Sequence, residues 1–172
     1  MRTLDALRNL SKEEAVLFQA ICRYRIATRT GSFLVNDEKL LKEFNIIYDQ
    51  ILLLEECSLL NSSGLIIRHE NIATERALKF TNKQLCILAK LKSGNQKTIE
   101  FGNFPFTSIG NELANLLEVQ IDNESFICFA KMLQKENPNV EFNVYKYVPI
   151  ANNMVQFFGE DFLSNNKEEN SK

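Results

Sequence analysis

The chain has few of the side chains on which enzymes and metal sites depend. Among its 172 residues there is one histidine, His69, and no second one that could share a metal ion with it. No two of the four cysteines have the Cys-x-x-Cys spacing of a zinc site, and the glycines follow no phosphate-binding pattern. We therefore predict no catalytic residue, no metal and no cofactor, with His69 on the surface or in a turn.

Long apolar runs are also absent. No run approaches the roughly 18 residues that a membrane span needs, and residues 1–8 lack the apolar core of a signal peptide. The cysteines lie far apart and mostly among apolar neighbours, which is typical of buried free thiols in a reducing compartment. They are Cys22, Cys57, Cys86 and Cys128. We expect a cytoplasmic, soluble protein without membrane attachment.

Charge is unevenly distributed along the chain. The formal net charge is −2, yet residues 21–35 contain three arginines and no acid, which gives +3. Residues 77–97 contain five lysines and no acid, which gives +5 and leaves −10 on the rest of the chain. These cations are Arg23, Arg25, Arg29, Lys79, Lys83, Lys90, Lys92 and Lys97. They predict either a phosphate- or partner-binding surface, or solvated strands whose lysines discourage edge-to-edge pairing.

The middle of the chain has the pattern of a winged-helix core. A short strand at Ser32–Val35 precedes a short helix, which Asn36 or Asp37 is expected to cap and which ends near Glu43. A second helix follows around Ile47–Cys57, and then come hairpin-like segments. Thr107 is expected to cap a further helix that runs to about Glu118. Two short helices between strands, followed by a hairpin, are typical of winged helices, which bind nucleic acid or proteins.

Further elements are predicted on both sides of this core. A short helix at Arg2–Leu10 precedes a capping box, Ser11 to Glu14, that begins a helix ending near Arg25. The second half contains a hairpin turning at residues 81–84, a strand at 98–101, a helix capped by Asn123 and a strand at 140–144. The predicted fold class is α+β: a winged-helix-like core with extended β-hairpins and a C-terminal helix–strand extension. We expect one domain over 1–159 and a polar, disordered tail over 160–172.

Four short motifs resemble the C-terminal part of DUF2806, a bacterial family of unknown function. They are Arg2-Thr3-Leu4, Ser11-Lys12-Glu13-Glu14-Ala15, Leu53-Leu54-Glu55-Glu56 and Thr107-x-x-Gly110-x-Glu112-Leu113. The resemblance implies a bacterial setting and a further region ahead of Arg2, and it brings no catalytic residues. One departure is Ser58, where the family pattern favours glycine. Because glycine adopts the left-handed conformation at little cost, Ser58 puts the end of the preceding helix in doubt.

The predicted second helix of the helix-turn-helix is poorly suited to DNA. Residues 46–58 contain Asp49, Glu55 and Glu56 and no lysine or arginine, so their charge of −3 would repel phosphate. Residues 77–97 could still contact phosphates as a basic wing, helped by the three arginines if the fold brings them close. Such contacts would not depend on base sequence.

Aromatic residues suggest a different partner. The chain has thirteen phenylalanines, most of which we expect in the core. Residues 154–163 lie beyond the last predicted strand, and their Phe157, Phe158 and Phe162 could dock on a protein partner or a second copy. The sequence therefore favours a non-enzymatic winged-helix interaction domain that mediates protein–protein contacts. The alternative is sequence-neutral nucleic-acid binding through the basic wing.

Overall fold

The computed structural model describes residues 2–62, 66–73, 77–94, 96–149 and 155–164. It has the mixed α+β composition that the sequence predicts. The chain forms two compact units: unit 1 contains Met1–Arg68 and Phe101–Asp122, and unit 2 contains His69–Glu100 and Asn123–Lys172. A single domain over 1–159 and a disordered tail stay predictions, and residues 165–172 of that tail lie outside the described residues.

Unit 1 contains five α-helices in its described part. They are α1 (Arg2–Asn9), α2 (Lys12–Ile21), α3 (Glu38–Glu43), α4 (Tyr48–Glu56) and α5 (Ser108–Leu116). Three of them begin at the predicted caps. Ser11 Oγ accepts from Glu14 N at 3.1 Å, Asp37 Oδ1 from Leu40 N at 3.0 Å and Thr107 Oγ1 from Gly110 N at 3.0 Å. All three predicted caps are therefore confirmed. They could be predicted from the sequence because the capping side chain and the N–H that it binds lie only three residues apart.

The strands of unit 1 pair antiparallel with one another. A hairpin of β1 (Ile26–Thr28) and β2 (Gly31–Val35) follows a 3₁₀ turn at Cys22–Tyr24. β2 also pairs with residues 103–105, and Leu60 forms an isolated bridge to Phe106. The helix predicted to end near Arg25 is confirmed in extent: the α-helix ends at Ile21, and a 3₁₀ turn continues it to Tyr24, with Arg25 as the C-cap.

The core of unit 1 joins α2, α4 and α5 to these strands. Side chains from all of them are almost completely buried, and burial of each large one contributes roughly 1.5–3 kcal/mol. The large ones include Phe18, Ile21, Leu34, Ile51, Leu54, Leu59, Leu60, Phe104, Phe106 and, from α5, Leu113.

Unit 2 is built on antiparallel strands and one long helix. In chain order its elements are β3 (Ile67–Ala73), β4 (Leu78–Thr81), β5 (Leu85–Leu91), β6 (Gln96–Pro105), α6 (Asn123–Glu136), β7 (Val140–Pro149) and β8 (Val155–Phe158). The first residues of β3 and the second half of β6 belong to unit 1. β5 pairs with β4 on one side and with β7 on the other, and β7 also pairs with β8.

The core of unit 2 lies between this sheet and α6. Phe80, Ile87 and Val144 lie side by side on the face that α6 covers. Phe129 of α6 meets the Phe80 ring edge-on, with 5.5 Å between ring centroids. Asn123, predicted to cap this helix, is its first residue. Its side-chain oxygen accepts from Asn82 and its amide donates to Gln84, both in the β4–β5 turn.

Three sequence predictions for unit 2 are corrected by the structure. One of the hairpin-like segments predicted after the second helix of the core is residues 65–67; the strand instead begins at Ile67 and continues to Ala73, while Leu65 lies outside the described residues. The strand predicted at 98–101 is longer, at Gln96–Pro105. Residues 154–163 do not lie beyond the last strand, because residues 155–158 form β8.

Candidate interaction surfaces

Helix α4 is held in place from both ends. At its start, Ile47 N donates to Gln50 Oε1 at 3.2 Å. At its end Ser58 adopts the left-handed conformation, with φ 58°, while Ser58 N bonds Glu55 O and Leu59 N bonds Leu54 O. Ser58 therefore ends the helix as a glycine would, which removes the doubt raised by the family pattern.

The outward side of α4 is apolar and acidic. Ile51 and Leu54 point into the core, while Ile47, Tyr48 and Leu52 are 59%, 51% and 38% exposed. The exposed Asp49 and Glu56 lie beside them at helical spacing, and we call these five outward residues the α4 face.

Glu55 does not belong to the α4 face. Its carboxylate accepts hydrogen bonds from the backbone N–H and the hydroxyl of the buried Ser62. The carboxylate thereby fixes the segment that follows the helix. Of the three acidic residues predicted to repel phosphate from this helix, Asp49 and Glu56 face solvent and Glu55 does not.

The three predicted arginines of unit 1 have different surroundings. Arg25 donates to Ser32 Oγ at 2.6 Å, to Asn115 Oδ1 at 2.8 Å and to Asn111 Oδ1 at 3.1 Å. Burial lowers the pKa of Arg25, and its guanidinium lies 5.7 Å from the Phe106 ring centroid. Arg23 and Arg29 are exposed. Arg25 thus ties β2 to α5, whereas the other two face solvent.

Sequence reasoning missed Arg68. Its guanidinium donates to the hydroxyls of Thr28 and Thr30, at 2.6 Å each, and lies 4.8 Å from the Phe33 ring centroid. Nothing in the local sequence around Arg68 points to a partner forty residues away. The contact braces the β1–β2 turn.

The five predicted lysines all belong to unit 2. Lys92 Nζ donates to Pro138 O at 2.8 Å, and Lys79 Nζ lies 5.9 Å from the Phe157 ring centroid. Lys90 stands opposite Glu141 in the β5–β7 register, and Lys83 lies in the β4–β5 turn with φ 77°. Lys97 is half-buried on β6. Four of the five lysines are exposed, and Lys79, Lys90 and Lys92 each lie beside an aromatic ring, an opposing charge or a carbonyl oxygen within unit 2.

The three predicted interface phenylalanines are integrated into the edge of unit 2. Phe157 lies 5.7 Å from the Tyr145 ring, and Phe158 pairs with Lys146 in the β7–β8 register. Phe162 N donates to Val144 O, and the adjacent Asp161 accepts from Val144 N at 2.7 Å. Phe158 remains 42% exposed, while the other two are half-buried.

Among the described residues, no three histidine, cysteine, aspartate or glutamate side chains are grouped so that they could hold one metal ion. His69 is exposed, and its Nδ1 lies 3.0 Å from Glu100 Oε1 on the neighbouring strand. The four cysteines are free thiols. Burial raises the pKa of Cys86 to about 12, and burial with the nearby Glu14 raises that of Cys57 to about 11. A nucleophilic cysteine has a lowered pKa and is a thiolate near neutral pH, whereas these two thiols stay protonated there. No described helix has the length and apolarity to span a bilayer.

The family model for DUF2806, described as a protein of unknown function, matches residues 1–130. The chain belongs to the DUF2806 family. Neither the curated proteins nor the solved structures contain a match to it. The match covers all of unit 1, together with unit 2 as far as the middle of α6.

Two of the motifs that resemble DUF2806 meet within unit 1, and one of these two also contacts the end of α4. Thr107 Oγ1 donates to Ser58 O at 2.6 Å, which joins the α5 motif to the end of α4. A Cβ on Gly110 would overlap the carbonyl oxygen of Leu59, so only glycine allows this approach. Thr3 of the first motif donates to Glu112 of the last. These DUF2806 motifs thus explain how helices are joined and place no reactive group.

Proposed function

We propose that this protein is a non-enzymatic interaction domain that binds another protein through the α4 face. In this proposal unit 1 is a winged-helix-like core. The order α2, β1–β2, α3, α4, the Leu60 bridge and the end of β6 supports it, because short helices between antiparallel strands are typical of such folds. A cytoplasmic location, which the four free thiols support, is part of the same proposal.

The observation that carries the proposal is the chemistry of the α4 face. Three exposed apolar side chains lie beside two carboxylates, and the sequence contains no lysine or arginine between Lys42 and Arg68. A helix that reads DNA needs cations for phosphates and donors for base edges, whereas this face has no cation and only one side-chain donor, the Tyr48 hydroxyl. Exposed apolar and aromatic side chains next to acids instead complement a protein surface with apolar side chains flanked by lysine or arginine.

A site-specific photo-crosslinker tests this proposal in cells that express the protein. We expect a crosslinker at Tyr48 to give protease-sensitive adducts with another protein, and these adducts to weaken when Asp49 and Glu56 are both changed to Lys. The matched control is a crosslinker at Leu116 of α5, which is 73% exposed. Equal adducts from both positions, or nuclease-sensitive adducts from Tyr48, would contradict the proposal.

Sequence-neutral nucleic-acid binding through the β4–β5 hairpin is the second candidate. It is supported by the exposure of Lys79, Lys83, Lys90 and Lys92 in a segment without acids. Its weaker point is that the ammonium groups of Lys79 and Lys92 already have local contacts. We therefore rank it below protein binding.

The second candidate is tested by fluorescence anisotropy of a labelled random-sequence duplex across about 50–200 mM salt. If it holds, affinity falls steeply with salt, and changing Lys79, Lys83 and Lys90 to Ser reduces both the affinity and the salt slope. Changing Asp49 and Glu56 to Ser is the control and leaves the lysine effect intact. Absence of binding at the lowest salt concentration eliminates this candidate.

A further inference from the structure

We propose that β8 pairs antiparallel with β8 of a second copy of this chain, so that two copies join through one edge of unit 2. β8 is the last strand beside β7, and the described residues place no strand on its outer side. The inference concerns a different surface from the α4 face and does not depend on the proposed function.

The composition of β8 is unusual for an edge. Natural edge strands commonly carry lysine, proline or a bulge, which prevent pairing with another chain. The four residues of β8 are Val, Gln, Phe and Phe, with no charge and no proline. By contrast β3, which pairs only with β6 among the described strands, contains Arg68, His69 and Glu70.

The backbone of β8 has hydrogen-bonding groups on its free side. Tyr147 N donates to Gln84 O at 3.3 Å and therefore points away from β8. In an antiparallel pair, facing residues alternate between bonded and non-bonded positions. Because Tyr147 stands opposite Phe157, the N–H and C=O of Phe157 point outward, and those of Val155 do as well.

The absence of charge on β8 favours pairing with a second copy of the same strand. A twofold axis at Phe157 sets Phe157 opposite its own equivalent and Gln156 opposite Phe158 of the second copy. Each of these pairs is neutral, whereas a charged strand paired with itself would face like charges.

Exposed apolar area and rigid support add to this match. Phe158 and Val148 lie on one face of the sheet and are 42% and 52% exposed, so pairing would bury apolar surface. Phe157 is held between the Tyr145 ring, at 5.7 Å, and the Lys79 ammonium, at 5.9 Å. The edge is therefore already ordered for pairing, which reduces the entropy cost of association.

Sedimentation velocity of the full chain over a range of concentrations tests the inference. We expect a monomer–dimer equilibrium in the micromolar range, as suits a small interface. Phe158→Lys would place two ammonium groups at the seam and weaken the dimer at least tenfold. Val155→Pro, which removes an outward N–H at a strand end that tolerates proline, should weaken it similarly.

The matched control is Ile67→Lys on β3, because Ile67 is 46% exposed, about as much as Phe158. It should leave the dimer unchanged. Far-UV circular dichroism verifies that each variant is folded. A chain that stays monomeric at every concentration overturns the inference. So does a dimer that resists both β8 variants, or one that Ile67→Lys disrupts equally.

Discussion

The α4 face of unit 1 and the β4–β5 hairpin of unit 2 present opposite chemistry to solvent. The α4 face combines exposed Ile47, Tyr48 and Leu52 with two carboxylates, whereas the hairpin exposes lysines and no acid. A net charge of −2 for the whole chain conceals this separation. The difference shows that acidic and basic side chains are concentrated on different elements of this chain, so the two surfaces suit different partners.

The largest effect on stability should come from a substitution on the buried side of α4, compared with one on its exposed side. Leu54→Ala removes a fully buried side chain and should lower the free energy of unfolding by about 2–5 kcal/mol. Leu52→Ala, two residues earlier on the exposed side, should change it by no more than about 0.5 kcal/mol. Urea unfolding of both variants measures the contrast. Similar losses would show that Leu52 is not part of a free surface.

The close approach of α5 to the end of α4 gives the next largest effect. Gly110→Ala places a methyl group against the Leu59 carbonyl and should cost about 1–3 kcal/mol of unfolding free energy. Ser108→Ala, at an exposed position of the same helix, is the control and should change it by less than about 0.5 kcal/mol. Equal stability of Gly110→Ala and the unmodified chain would contradict this packing.

The left-handed end of α4 predicts a stabilising change. Ser58→Gly should raise the free energy of unfolding by about 1 kcal/mol, since serine has a steric penalty at φ 58° that glycine lacks. Asn45, with φ 55° in the α3–α4 turn, is the matched control. Because asparagine tolerates this conformation, Asn45→Gly should gain less. Thermal unfolding of the two variants tests the order.

The smallest expected effect concerns the capping box of α2. Hydrogen bonds from the Ser11 backbone and hydroxyl lower the pKa of Glu14 below its ordinary value of 4.5. The bonds therefore stabilise the fold above about pH 4.5, and this contribution is lost as the pH falls through the lowered pKa. Glu14→Gln should lower the melting temperature at pH 7 and have no effect well below pH 4. A difference that persists in acid would exclude ionisation as the cause.

Local features were predictable from the sequence, and distant contacts were not. The caps at Ser11, Asp37 and Thr107 depend on residues within one helical turn, and each has the expected bond. The bonds of Arg25 to Asn111 and Asn115 join residues more than eighty positions apart. No pattern around Arg25 distinguishes it from the exposed Arg23, since only the fold brings α5 beside β2.

The last strand shows a second limit. Four uncharged residues after Pro149 do not form a strand by propensity alone, because a strand this short needs a neighbour to pair with. β7 supplies it from residues 146–149. The interface predicted at Phe157 and Phe158 stays a prediction, while the position of these residues on a sheet edge depends on the pairing with β7, which the local sequence does not show.

The order of the two units along the chain affects how the protein folds during its synthesis. Unit 1 is complete once Asp122 leaves the ribosome, whereas unit 2 still awaits α6, β7 and β8. Until then Phe80 and Ile87 of the β4–β5 hairpin lack Phe129 and Val144, the side chains that later cover or flank them. The nascent chain thus carries an uncovered apolar hairpin, which lies between the two segments of unit 1 in the sequence, for the time needed to translate about twenty more residues, on the order of seconds. During that time the hairpin is accessible to a chaperone at the tunnel exit.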